Sequence, residues 1–176
     1  ITKVLIGDLQ NDRSEDVLIL GTEGSQTIKI TEDGSATNVT LPSHLNTLEA
    51  TDGILMDLDF TGKLDLVAVT TNKNELQILR QTNALSFTNI TRSSGVPVTL
   101  ENATMVVMED WNHDQVMDII VNRSGPPPLL LEKQRGGTLT PIEQEQWVSG
   151  TSICAGDFDN DLRPDLAILT NEGITI

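Results

Sequence analysis

Short apolar runs recur along the chain in pairs, one run before and one run after an acidic segment. The runs before these segments are Val4–Ile6, Ile54–Met56, Met105–Met108 and Ile153–Ala155. The runs after them are Val17–Leu20, Leu66–Val69, Ile119–Val121 and Leu166–Leu169. Such short, continuous runs, rich in β-branched residues, predict strands that are buried on both faces.

More polar, alternating stretches follow each pair and predict half-exposed strands. Gln26–Thr31, Glu75–Arg80 and Leu129–Lys133 are predicted third strands, and Ala36–Thr40, Phe87–Thr91 and Thr138–Thr140 are predicted fourth strands. No segment shows a helical period over ten residues. We expect at most a turn of helix in each of two connections, Leu41–Ala50 and Pro141–Gln146.

The whole pattern repeats with a period of about 50 residues, which fits one blade of a β-propeller. Each complete period supplies four short antiparallel strands, which is the content of one blade. The sequence therefore predicts an all-β fold, a partial β-propeller of four-stranded antiparallel blades, with three full blades and part of a fourth. The predicted blades are 1–50, 51–102, 103–149 and 150–176, and we expect them to belong to a longer propeller or to half of an assembly.

The acidic segments align without gaps and are called here the first to fourth loops: Asp8–Asp16, Asp57–Asp65, Asp110–Asp118 and Asp157–Asp165. Each has Asp at positions 1 and 9 and an oxygen-bearing side chain at positions 3 and 5. Side chains at alternate positions of a tight turn converge, and Ca²⁺ takes six to eight such oxygen ligands. Without a cation these acids repel one another. The pattern predicts up to four bound Ca²⁺.

The loops resemble two other kinds of acidic segment. An EF-hand needs a bidentate Glu at position 12, where these loops have Ile19, Ala68, Val121 and Ile168, all within predicted strands. Acidic surface turns without metal are the plainer alternative, because Asp and Asn stabilise turns by themselves. Four loops in register favour the metal site.

Composition agrees with this picture. The net charge of −15 disfavours nucleic acid and anionic membrane as partners and favours cations. No apolar run approaches the ~18 residues of a membrane-spanning helix, so membrane insertion is not expected.

Cys154 is the single cysteine and is expected to be a buried core residue. Four apolar loop residues are expected to fill the interfaces between blades: Leu9, Phe60, Trp111 and Phe158.

The fourth loop with its flanks, Gly156–Leu166, repeated in register, resembles the FG-GAP/VCBS repeat of integrin α-subunit propellers and many bacterial surface proteins. The resemblance implies that the loop joins the first two strands of a blade and holds calcium at the rim. It implies side-chain ligands Asp8, Gln10, Asp12 and Asp16; Asp57, Asp59, Thr61 and Asp65; Asp110, Asn112, Asp114 and Asp118; and Asp157, Asp159, Asp161 and Asp165. It implies carbonyl ligands from Ser14, Lys63, Val116 and Arg163.

The sequence departs from this family at loop position 6, which is usually Gly. Gly62 keeps it, whereas Arg13, Gln115 and Leu162 replace it. If this position is left-handed, each non-Gly residue there costs roughly 1 kcal/mol. The uncharged Gln10 and Thr61 predict weaker sites in the first and second loops.

Two classes of function remain open on the sequence. The first is a non-catalytic calcium-binding module, extracellular, at the cell surface or periplasmic, that serves adhesion or scaffolding and binds a protein partner or further blades. The second is a carbohydrate-active propeller, either a lectin or a polysaccharide lyase. A lyase needs a positioned base, and no Lys, Arg or His cluster is visible. We therefore expect the first class and no enzymatic activity.

Overall fold

The computed structural model describes residues 1–31, 33–72, 75–97, 100 and 102–176. Within this part of the chain the structure consists of four antiparallel sheets that follow one another along the sequence. The first sheet contains β1 (Lys3–Gly7), β2 (Asp16–Leu20), β3 (Gln26–Ile30) and β4 (Ala36–Val39). The second contains β5 (Ala50–Met56), β6 (Asp65–Thr70), β7 (Leu76–Asn83) and β8 (Ser86–Asn89). The third contains β9 (Ala103–Glu109), β10 (Asp118–Arg123), β11 (Leu129–Lys133) and β12 (Leu139–Glu143), and the fourth β13 (Ser152–Gly156), β14 (Asp165–Thr170) and β15 (Gly173–Thr175).

Strand order inside every sheet is the order along the chain, so each sheet is a simple meander. The first strands of successive sheets lie beside one another: β1 contacts β5, β5 contacts β9, and β9 contacts β13. A half-buried polar link reinforces this row. The Asp52 carboxylate on β5 accepts the Lys3 ammonium of β1 at 2.8 Å and the Val106 N–H of β9 at 2.9 Å. One side chain thus joins three sheets.

Among the described residues, the buried apolar side chains form three clusters, one between each pair of successive sheets. On β6, Leu66 and Ala68 face the first sheet, whereas Val67 and Val69 face the third. All six residues of β6 are buried. The apolar runs Leu66–Val69 and Ile119–Val121 therefore lie in strands that are covered on both faces, as the sequence predicts. The prediction is wrong for Val4–Ile6 and Leu166–Leu169, where Val4, Ile6 and Leu169 are exposed.

Two sheet faces at the ends of this stack have no sheet packed against them in the described part of the chain. On the first sheet, Val4 and Ile6 are 51% and 66% exposed. On the fourth sheet, Ile153 packs toward the third sheet and its neighbour Cys154 points to the other side, where it is exposed. The prediction that Cys154 is a buried core residue is therefore wrong.

The predicted interface residues of the loops divide into two groups. Leu9 is buried, and Trp111 packs edge-on against Trp147 with the ring centroids 5.1 Å apart. Phe60 and Phe158 are 54% and 46% exposed, so the prediction is wrong for both. Phe60 stands two positions further along its loop than the others, and the buried residue of the second loop is Leu58. Phe158 belongs to the fourth sheet, one face of which is uncovered.

Helix is almost absent from the described residues. The short α1 (Ser43–Asn46) lies inside the connection where a helical turn is expected. The turn of helix expected over Pro141–Gln146 is wrong, because Pro141 lies in β12 and pairs with Leu131. Since β12 is an edge strand, the N–H that proline lacks is not needed there. In the described part of the chain, no helix has the length and hydropathy needed to cross a membrane.

Candidate metal centre

Each of the four loops joins the first strand of a sheet to the second and closes on itself through the carboxylate at position 1. In the second loop, Asp57 Oδ1 accepts the N–H of Thr61 at 3.0 Å and Asp57 Oδ2 accepts the N–H of Gly62 at 2.7 Å. The same two bonds, from positions 5 and 6, are made to Asp8, Asp110 and Asp157. In all four repeats the backbone of the loop therefore turns around the carboxylate at position 1.

Left-handed backbone at positions 4 and 6 gives the loops their common shape. Position 6 has φ from 67° to 79° and is occupied by Arg13, Gly62, Gln115 and Leu162. Position 4 has φ from 56° to 62° and is occupied by Asn11, Phe60, His113 and Asn160. The left-handed conformation considered for position 6 is confirmed, and position 4 shares it. Asn tolerates this region better than most non-glycine residues.

The carboxylate at position 9 connects the loop to the sheet. Asp65, which is buried, accepts the N–H of Leu58 at 3.0 Å and the N–H of Gln81 on β7 at 2.7 Å. Asp118 does the same with Trp111 and with Lys133 on β11. Position 9 thus has a structural role in addition to any role as a metal ligand.

Burial acts on these inner carboxyl groups. It raises the pKa of Asp65, and it raises the pKa of Asp118 to about 6. The nearby acids Asp114 and Glu132 raise the Asp118 pKa further, while the backbone N–H of Lys133 lowers it. Burial disfavours the charged form of these carboxyl groups, so a nearby cation would stabilise that form.

Two loops bring three carboxylates together. In the second loop Asp57, Asp59 and Asp65, and in the fourth loop Asp157, Asp159 and Asp165, each offer an oxygen within 4.8 Å of the others. Ligands at 2.3–2.6 Å from one Ca²⁺ lie no more than about 5 Å apart. The acid sets of these loops therefore fit a calcium ion. The first and third loops have the amides Gln10 and Asn112 at position 3.

The remaining predicted ligands show mixed geometry. At position 7, the N–H groups of Ser14, Val116 and Arg163 donate to the Asp at position 5, at 2.8–3.0 Å. The hydroxyl of Thr61 donates to Asp59 at 2.8 Å. The amide nitrogen of Gln10 donates to Asp16 at 2.9 Å. The assignment of the individual ligands remains a prediction.

Basic side chains at the first and second loops were missed by the reasoning from sequence. Lys29 binds Asp12 in the first loop, and Arg80 Nε lies 3.2 Å from Asp59 Oδ2 in the second. Lys133, from the third sheet, donates to the carbonyl of Asp57 at 2.6 Å. All three belong to third strands, 13 to 15 residues beyond a loop's last Asp. Because that spacing varies between repeats, it gives no regular motif.

Comparison with known families bears on this part of the molecule. Residues 57–121, from the start of the second loop to β10, match the FG-GAP-like repeat. The resemblance drawn from the fourth loop is thereby supported independently in the second and third, since the match contains both of them. Among curated proteins, no match to the chain was found.

Proposed function

We propose that the chain is a calcium-binding module of β-propeller type, without catalytic activity, that serves protein interaction or adhesion outside the cytoplasm. The observation that carries the proposal is the trio Asp157, Asp159 and Asp165, whose oxygens converge within 4.8 Å. With Asp161 at position 5, the fourth loop has four carboxylates at the predicted ligand positions. We expect it to bind Ca²⁺ most tightly.

The arrangement of the sheets supports the propeller part of the proposal. Sheets stacked face to face, with their first strands in one row, are the way in which propeller blades pack around an axis. Asp52 joins three members of that row. The FG-GAP-like repeat at residues 57–121 is in keeping with this architecture.

The chemistry of the loops and the repeat support the proposed location and partner. FG-GAP repeats are typical of extracellular domains. Extracellular modules bind Ca²⁺ with dissociation constants of about 10⁻⁴–10⁻³ M, which suits exposed sites. The net charge of −15 favours a partner that is basic or that contacts the module through the bound cation. A protein surface, or further sheets of the same kind, would pack against the exposed apolar faces of the first and fourth sheets.

Calorimetric titration of metal-stripped protein with Ca²⁺ tests the proposal. We expect binding at submillimolar to millimolar Ca²⁺, and an increase of several degrees in the melting temperature over the same protein in EGTA, because a ligand of the folded state stabilises it. Asp161→Ala should weaken the tightest site at least tenfold. Glu172→Ala removes the same charge from the β14–β15 turn and should leave that site unchanged. Titrations without a heat of binding, together with superimposable melting curves in Ca²⁺ and in EGTA, would show that the loops are acidic turns that bind no metal.

A further inference from the structure

Lys29 occupies an unusual place in the first loop. It lies on β3, directly opposite Asp16, and its ammonium donates to the carboxylate of Asp12. The same ammonium interacts electrostatically with Asp16 and Asp8. The acid predicted to ligate calcium at position 5 is therefore bound by a side-chain cation, and the acid at position 9 lies opposite that side chain in the sheet.

The residue at this level of the third strand differs between the sheets. Leu66 pairs with Leu79, and Ile119 pairs with Leu131. The next residues along the third strands are Arg80 and Glu132, which therefore occupy the position that Lys29 occupies in the first sheet. Arg80 directs its guanidinium to Asp59. Glu132 instead adds a negative charge near Asp118 in the third loop. In the described part of the chain, no ion pair joins a lysine or arginine to the third or fourth loop.

We propose that Lys29 is a built-in cation that takes the place of calcium in the first loop, and that the third-strand residue at this level decides whether a loop requires metal. The proposal rests on the proposed function, because it concerns the same four loops. By this rule the first loop is closed by an ammonium, and the third is reinforced for calcium by Glu132. Arg80 places the second loop between these cases.

Charge and geometry supply the physical reason. An ammonium is a compact point charge with three donors, so it can satisfy carboxylates that would otherwise repel one another. Calcium could enter the first loop only by displacing this ammonium or by lying beside it at a cost in like-charge repulsion. One further donor acts in the same loop, because the Gln10 amide nitrogen donates to Asp16 at 2.9 Å. The first loop thus has side-chain donors where a calcium site needs acceptors.

The test compares Lys29→Met with Arg92→Met. Arg92 is exposed and lies outside the four loops, so its replacement removes the same charge without changing a carboxylate cluster. Calcium stoichiometry is measured by calorimetry on metal-stripped protein, and melting temperature is measured in EGTA and in Ca²⁺.

We expect Lys29→Met to bind one more Ca²⁺ than the wild type and Arg92→Met to bind the same number. The added site should disappear when Asp8→Ala is combined with Lys29→Met. In EGTA, Lys29→Met should melt several degrees below Arg92→Met, and Ca²⁺ should restore the difference. In the third loop, Glu132→Lys should remove one site.

The outcomes separate the inference from the proposed function. Four occupied sites in the wild type, or an unchanged stoichiometry in Lys29→Met, overturn the inference and leave calcium binding intact. No calcium binding by any variant overturns the proposed function, and the inference with it. An added site that persists in the Asp8→Ala double variant places the new ion elsewhere and also overturns the inference.

Discussion

Single residues at loop positions 4 and 6 carry the backbone through the left-handed region in every repeat. At position 6 a glycine is present once, at Gly62, and side chains as large as Leu162 replace it elsewhere. A non-glycine residue in this region costs roughly 1–2 kcal/mol. The hydrogen bonds to the first Asp of each loop hold the strained conformation in place.

Gly62→Ala should therefore destabilise the protein by about 1 kcal/mol, because alanine is strained at φ 79°. An added Cβ at Gly62 meets no atom within 4 Å, so the cost is due to the backbone alone. Gly136→Ala is the matched control, since its Cβ also enters open space and its φ lies outside the left-handed range. Urea denaturation in EGTA measures both. Equal effects of the two substitutions would contradict a left-handed position 6.

Third-strand residues join neighbouring sheets, because their side chains donate to the loop of the preceding sheet. Gln81 on β7 gives its N–H to Asp65 of its own sheet, while its side-chain amide donates to Leu9 O of the first loop at 2.6 Å. Lys133 on β11 repeats the arrangement, with its N–H on Asp118 and its ammonium on Asp57 O. The first and second loops are each tied in this way to the position 9 acid of the next loop, which offers a path for coupling between the proposed metal sites.

Gln81→Met should lower the free energy of unfolding by about 1 kcal/mol, because it keeps the buried volume but loses the buried hydrogen bond to Leu9 O. The Leu9 carbonyl still accepts the N–H of Leu85 at 3.0 Å, so it is not left without a partner and the loss of stability stays small. Gln77→Met, on the same strand, removes only an exposed 3.4 Å contact with Asn89 and should change stability by less than about 0.5 kcal/mol. Chemical denaturation of both variants makes the comparison. A neutral Gln81→Met would show that apolar packing alone holds the sheets together.

The whole molecule combines an apolar core in three layers with an excess of acid at the loops. The layers form between successive sheets, and the loops lie where first strands turn into second strands. Of the acids, Asp65 and Asp118 have raised pKa values because they are buried. Stability of the metal-free protein must therefore depend on pH.

In EGTA, we expect stability to rise as the pH falls from 7 to 5. A carboxyl group whose pKa is raised on folding contributes stability that is fully present below its unfolded pKa and is lost as the pH rises through its folded pKa. For Asp118 the two values are 3.8 and about 6, so the loss occurs between about pH 4 and pH 7 and amounts to up to about 3 kcal/mol. The lowered pKa of Asp33, about 2, acts only below this window.

Saturating Ca²⁺ should reverse the sign of this dependence, because protons then compete with the cation for the carboxylates. Denaturation curves at pH 5 and pH 7, each in EGTA and in Ca²⁺ at fixed ionic strength, measure the four stabilities. A metal-free protein that is less stable at pH 5 than at pH 7 would contradict the assignment of Asp118 as the controlling group.

The sequence by itself determined the strands and the loops. Val67 and Val69 stand in a continuous apolar run, and such a run is stable only between two other layers. The turn within Asp57–Asp65 is equally local, since the bonds of Leu58, Thr61 and Gly62 to the carboxylates of the loop join residues at most seven positions apart. Interactions of this range are fixed by the order of residues alone, so the four sheets and the four acidic turns could be predicted.

The tertiary structure decided what surrounds each loop. Lys29, Arg80 and Glu132 reach the same level only after β2–β3, β6–β7 and β10–β11 turns of different length, so no constant spacing marks them. The exposure of Cys154 depends on which face of the last sheet is covered, and the strand at Pro141 depends on its being an edge. Whether a carboxylate cluster meets an ammonium, a guanidinium or another carboxylate is set by strand register, which brings distant residues together.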